Sequence, residues 1–347
     1  MSRSIDEQQV QDLLSKVPYP GFSRDIVSFG VVRGVTLGAE ISVQLVIATN
    51  DTGVASELRS RVSEALGQLP GKPPFKVLVD VQAPVQSGAQ GPVSIPGVRH
   101  VVAVASGKGG VGKSTVSANL AAALAAKGLR VGLCDCDLYG PSMALMFGAT
   151  ERPMADEEGR IIPVERHGVK LMSMGLLLED DSPAVLRGPM VTRYTQQFLR
   201  NVIWNEGGDL DVLILDLPPG TGDIQLTIVQ TVPLAGAVIV TTPQEVALID
   251  ARKAVSMFGK TNVPILGILE NMSGFIAPDG SRHEIFGSGG GEREAARLGV
   301  PFLGALPLDP ALRIAADAGK PLVLSDPESP AAVVIREVAA KLALRDR

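Results

Sequence analysis

Hydrophobic and polar positions follow two regimes along the chain. In the first part, DEQQVQDLLSK and VASELRSRVSEALGQL repeat apolar residues at helical spacing, whereas DIVSFGVVRGVTL, AEISVQLVIAT and FKVLVDV read as strands. Together they predict a small α+β module over residues 1–82. From residue 98 the pattern changes to short unalternating apolar runs, HVVAVAS, RVGLCDC, DVLILDL, GAVIVTT, VPILGIL and PFLGALP, set between helical stretches. Such runs suit strands buried on both faces, with the helices as right-handed crossovers. The expected fold class is α/β, a doubly wound and mostly parallel sheet over residues 98–347 with the small module in front of it. Between the two, APVQSGAQGPVSIPG at 83–97 is rich in Pro, Gly, Ser and Gln and reads as a linker.

Composition narrows the class without changing the architecture. A chain of 347 residues with 45% hydrophobic residues, 20% charged residues and a net charge of -5 is a mildly acidic globular protein, which does not favour a nucleic-acid partner. The first residues, MSRSIDEQQVQDLLSK, show neither a secretion signal nor an Arg-rich targeting helix, and no run approaches the roughly 18 apolar residues of a membrane span. No membrane partner is expected, and the expected location is cytoplasmic. The acidic clusters ADEEG and LEDDS lack calcium-loop spacing and read as solvated loop surface. Cys134 and Cys136 are too few for a disulfide framework. As residues i and i+2 of a strand they point the same way about 6.5 Å apart, a poor geometry for bonding each other.

The chemistry concentrates in SGKGGVGKST, residues 106–115, between an apolar strand and the Ala-rich helix VSANLAAALAAKG. Gly107, Gly112, Lys113 and Ser114 satisfy the phosphate-loop pattern, with Gly109, Gly110, Val111 and Thr115 completing the turn. Glycines let successive N–H groups converge on phosphate, the helix N-terminus adds partial positive charge, Lys113 reaches the β and γ oxygens, and Ser114 holds Mg²⁺. A magnesium nucleotide also needs a carboxylate at a neighbouring strand end, and DVLILDLPPGTGD offers Asp216. In DCDLYGPS, one of Asp135 and Asp137 is expected to orient the attacking water and the other to support Mg²⁺ or the loop. Asp137 is the choice for the water. The run GSGGGEREAARLG reads more as a hinge than as an anion site.

A phosphate loop needs one lysine, and this one has two, Lys108 and Lys113. On that point GKGGVGKST resembles the deviant phosphate loop of the MinD, ParA, ArsA and nitrogenase iron-protein class. With DCDLYGPS, LRGPM, DLPPGTGD, TTPQEVALIDARK, ENMS and IFGSGGG in this order, residues 98–345 look like an Mrp/ApbC-type iron–sulfur cluster carrier, and the small module is similar to the one that such bacterial proteins carry. The resemblance implies an ATPase that works as a homodimer, with Lys108 reaching across the interface to the partner's nucleotide as an arginine finger would. It implies ATP as the nucleotide, Asn271 reading the adenine edge, and apoprotein clients and cluster-assembly proteins as partners. It also implies a 4Fe–4S cluster held by Cys-x-x-Cys after ENMS, yet Ala277 and Gly280 stand where those thiolates belong. Cys134, Cys136 and His283 are the remaining candidate ligands, so the iron–sulfur ligands stay unassigned. Two other functions compete: a positioning ATPase of the MinD or ParA kind, which needs a membrane-binding C-terminal helix or a basic DNA face, and a scaffold that binds ATP without cleaving it.

Overall fold

In a computed structural model the protein is described over residues 7–20, 25–27, 31–38, 40–48, 52–71, 73–82, 92–138, 140–158, 160–176, 195–196 and 198–342. The acidic cluster LEDDS and the segment LRGPM lie outside the described residues. The chain divides into two units, 1–90 and 91–347.

In the first unit, β1 (Val32–Thr36) pairs antiparallel with β2 (Ile41–Ala48), which pairs parallel with β3 (Phe75–Gln82). Alternation in β2 sends Val43, Leu45 and Ile47 to one face, where they meet Leu58, Val62 and Leu66 of α2 (Thr52–Leu66) and Val10 and Leu14 of α1 (Glu7–Leu14). The β2–α2–β3 crossover is what a parallel pair requires, since a tight hairpin cannot join parallel strands.

The second unit starts with β4 (Val98–Ala105) and β5 (Val131–Asp135), followed by the two-residue strands β6 (Met154–Ala155) and β7 (Ile161–Ile162), which pair with each other. Next come β8 (Val164–Arg166), β9 (Val169–Met172), β10 (Leu210–Asp216), β11 (Gly236–Thr241) and β12 (Ile265–Glu270). A small ribbon, β13 (Phe275–Ile276) with β14 (Arg282–His283), precedes β15 (Phe302–Ala305). The main sheet has the order β15-β12-β11-β4-β10-β5-β9-β8, parallel except for the outermost pair β9 and β8. The six apolar runs read from sequence are β15, β12, β11, β4, β10 and β5, six of its seven parallel strands, with β15 at one edge. The antiparallel edge was not anticipated, because VERHGVKL mixes charged and apolar residues in strands too short to show a period.

Each interior strand feeds two cores. Val102, Val104, Leu133, Ile214 and Val240 face α3 (Lys113–Ala126) and the C-terminal helix Pro330–Lys341, while Ala103, Leu213, Leu215, Ile239 and Ile268 face the helices Asp223–Thr231 and Glu245–Lys260. That double burial is the reason the runs show no alternation. On the first side Asn119 of α3 donates to Thr115 O at 2.9 Å and accepts from Val323 N at 3.2 Å. Ile335 and Val338 of the C-terminal helix are buried in the same core, as their helical spacing predicts.

One boundary differs from the sequence reading. Residues 92–97, expected as the end of the linker, belong to the second unit, where Val93 N donates to Thr231 O at 3.1 Å and Ile95 is buried beside the β4 core. An apolar side chain within a Pro- and Gly-rich stretch has found sheet-side packing that composition does not reveal. The rest of 83–97 lies outside the described residues.

Candidate functional site

β4 ends at Ala105 in the middle of the sheet, and the chain turns through residues 106–112 into α3. The turn needs its glycines for definite reasons. Gly110 and Gly112 have φ of 80° and 79°, a region L side chains avoid. A Cβ on Gly107 lies 2.1 Å from the backbone carbonyl carbon of Asp250, and one on Gly112 lies 2.2 Å from Asn271 Nδ2. Ser106 Oγ donates to Lys108 O at 2.9 Å, and Gly220 N donates to Ser106 O at 3.0 Å, so the loop after Asp216 is tied directly to the phosphate loop.

β10 lies beside β4 and delivers Asp216, fully buried, under the start of α3. Lys113 Nζ lies 2.7 Å from Asp216 Oδ2, and Ser114 Oγ donates to the same oxygen at 2.7 Å. Lys113 Nζ also donates to Ser114 Oγ at 3.2 Å. Ser117, one helical turn beyond Lys113, places its Oγ 2.5 Å from Asp216 Oδ1. A buried carboxylate is stable here because an ammonium and hydroxyls replace the water it has lost. Mg²⁺ takes hard oxygen ligands and commonly uses one or two protein groups beside substrate phosphates and water. The hydroxyl of Ser114 and the carboxylate of Asp216, in contact with each other at a helix N-terminus, fit such an ion. Among the described residues no group of three or more His, Cys, Asp or Glu is placed to hold a metal by itself.

Asp135 and Asp216 are register partners on β5 and β10. Burial first, and then the charge of Asp216, push the Asp135 carboxyl up to about 7. Its oxygens accept from Asp137 N at 3.1 Å, Ser142 N at 3.0 Å, Met143 N at 3.2 Å and Ser173 Oγ at 2.9 Å. Asp135 therefore organises the loop that follows β5. Asp137 lies past the strand end, half-buried, with Oδ1 accepting from Gly140 N at 3.3 Å. Lys108 is half-buried, and among the described residues its ammonium forms no ion pair.

Asn271, just past β12, is turned toward the phosphate loop: Nδ2 donates to Val111 O at 2.9 Å and Oδ1 accepts from Met272 N at 2.9 Å. Half of its amide capacity is thus spent on the protein, which differs from a side chain free to read a base. Its neighbour Glu270 is fully buried and accepts from Ser273 Oγ at 2.6 Å, Gly289 N at 2.8 Å and Gly291 N at 2.5 Å. The glycine run expected to be a hinge is instead a cradle of amides around an internal carboxylate, the same physics that gathers anions at helix N-termini. Ser117 and Glu270 were both missed from sequence. The one-turn spacing of Ser117 from Lys113 was an available signal; Glu270 offered only an acid closing a buried strand.

The segment after ENMS forms the β13–β14 ribbon, closed by Ala277 N to Ser281 O and Gly280 N to Ala277 O, both 2.9 Å. His283 is exposed, with Nε2 2.9 Å from Ser281 Oγ. Cys134 and Cys136 are fully buried, their sulfurs 3.9 Å apart, among Phe198, Leu215 and Leu217. The hydrogen bond to Cys134 and burial push the Cys136 thiol well up, so these are packing residues rather than presented thiolates. Among the described residues no helix is long and apolar enough to cross a membrane.

Comparisons with known proteins identify the family to which the chain belongs. Residues 97–343 match a ParA-type family model described as NUBPL iron-transfer P-loop NTPase, and residues 7–79 match a model described as iron–sulfur cluster assembly protein. An iron–sulfur cluster carrier protein of Deinococcus radiodurans is 47% identical over 95% of this chain and 93% of its own length. One from Pseudomonas fragi is 50% identical over 79% of this chain and 96% of its own. A nucleotide-binding protein from Archaeoglobus fulgidus, solved in complex with ADP, superposes with a TM-score of 0.58 at 38% identity, covering 68% of this chain and 91% of that one.

Proposed function

Because the chain belongs to the NUBPL iron-transfer family of P-loop NTPases, we propose that it is an ATP-hydrolysing carrier of iron–sulfur clusters that works as a homodimer. The observation that supports this most is the single buried carboxylate of Asp216 gathering Lys113, Ser114 and Ser117 at the start of α3. On binding ATP, the amides of residues 107–115 cradle the phosphates and Lys113 moves its ammonium from Asp216 to the β and γ oxygens. Ser114 and Asp216 would hold Mg²⁺, which would supply positive charge to offset that of the phosphates. Asp137, the less buried of the two aspartates after β5, positions the water. The bond from Gly220 N to Ser106 O lets the loop after Asp216 follow the state of the γ-phosphate.

A second copy of the chain is the expected cover of this face. Val246 and Ile249 are exposed on the helix whose backbone abuts Gly107, and Ile276, Ile285 and Phe286 are exposed on the ribbon and the loop that reach Pro243 through Gly287. Burying such residues against a twin is favourable and brings Lys108 to the partner's phosphates. The C-terminal helix, which a membrane-positioning ATPase keeps available, is here packed on α3.

The cluster is cargo. With two cysteines in the whole sequence, both buried, the thiolates that hold it come from a client or an assembly partner rather than from a Cys-x-x-Cys of this chain. The test is anaerobic transfer of a cluster from a loaded thiolate donor to an apo iron–sulfur protein, followed by visible absorbance. Mg-ATP with this protein is expected to accelerate transfer, Lys113→Ala to remove the acceleration, and a Cys134→Ser, Cys136→Ser double variant to keep it. Transfer rates indifferent to ATP reject the carrier reading and leave the ATPase.

A further inference from the structure

We infer that Ser117 is a positioning residue of the magnesium site: its hydroxyl fixes one oxygen of Asp216 so that the other faces the ion. The inference rests on the magnesium-nucleotide reading given above and adds a residue to it.

Ser117 lies in the interior of α3, fully buried, where a serine ordinarily turns its hydroxyl back to the carbonyl four residues earlier. Here Oγ is 3.1 Å from Lys113 O but 2.5 Å from Asp216 Oδ1. A hydroxyl has one hydrogen, and the charged acceptor at the shorter distance takes it. The two oxygens of Asp216 are therefore differentiated. Oδ2 faces the groups that handle nucleotide, Lys113 and Ser114, while Oδ1 is turned into the protein and satisfied there. A carboxylate is free to rotate about its last bond unless something holds one oxygen, and the described structure places the Ser117 hydroxyl at Oδ1. The helix that opens at Lys113 thus contributes three consecutive functions on one turn: the phosphate ammonium, the ion hydroxyl, and the bond that aims the ion's carboxylate.

Removing the hydroxyl leaves Oδ1 buried without a donor. Second-layer hydrogen bonds of this kind change metal affinity by about 10–100-fold. The experiment measures binding of a fluorescent ADP analogue to wild type, Ser117→Ala and Ser117→Thr, in EDTA and across a magnesium titration, with phosphate release measured in parallel. Ser117→Ala is expected to bind the analogue in EDTA within about threefold of wild type and to need roughly tenfold more magnesium for half-maximal effect. Ser117→Thr, which keeps the hydroxyl, is expected to restore the magnesium response. Binding in EDTA serves as the check that each variant is folded. An equal loss with and without magnesium, or an unchanged magnesium midpoint in Ser117→Ala, overturns the inference while leaving the ATPase reading intact. Wild-type binding and turnover that ignore magnesium overturn both.

Discussion

Gly112 and Asn271 compete for one volume: the position a Cβ takes on Gly112 is 2.2 Å from Asn271 Nδ2, which itself donates to Val111 O. The end of β12 is thereby locked onto the phosphate loop. Gly112→Ala is expected to weaken ADP binding by on the order of tenfold or more, since the left-handed backbone alone costs an L residue about 1–2 kcal/mol before the collision is counted. Isothermal titration measures it. Asn271→Ala separates two roles in the same assay: loss of the tether weakens ATP and GTP alike, whereas loss of adenine reading lowers their ratio.

Lys108→Ala is expected to leave nucleotide affinity within a few-fold and to lower turnover by about a thousandfold, the low end for a charge delivered in trans to a phosphoryl group. Wild-type turnover per chain should rise with protein concentration. Turnover per chain that stays constant through dilution to monomer counts against the trans lysine.

Glu270→Gln turns one acceptor oxygen into an amide that faces the N–H of Gly289 or Gly291. Loss of about 2–4 kcal/mol is expected from urea unfolding, because a charge-assisted bond is exchanged for two opposed donors in a buried site. Hydrogen exchange should quicken first in the helix Gly290–Leu298.

Arg252 donates to both oxygens of Glu294, at 2.7 and 2.8 Å, and holds that carboxyl below its usual range. A lowered folded value means the unfolded chain takes up the proton first. The stabilisation is therefore present above about pH 4.5 and is lost as the pH falls through the lowered folded value. Arg252→Met should lower the melting temperature at pH 7 and converge with wild type as the pH falls below the lowered folded value of Glu294. Parallel pH curves for the two proteins would show that the pair contributes nothing to the acid limb.

How much of this was legible in the sequence depended on range. Six of the seven parallel strands announce themselves, as where Val102, Ile214 and Ile239 are apolar along with both of their neighbours in the chain. The phosphate loop and Asp216 are local patterns, each set at the end of such a strand. Ser117 acts on a residue 99 positions away and Glu270 on one 21 positions away, so neither role exists until the sheet is formed. The GSGGG run shows the limit most clearly, since the same glycines serve a hinge or a carboxylate cradle and only the position of Glu270 decides. Ile95 makes the complementary point for composition: one apolar residue in a linker-like stretch is buried in the core beside β4 while its neighbours stay exposed.

Asn119 reaches Thr115 on one side and Val323 on the other. The short helix Leu322–Ser325 is consequently tied to the first turn of α3, and the two are expected to open together in hydrogen exchange. A ligand that stiffens the first turn of α3 slows fraying near Val323, far along the chain from any atom it touches.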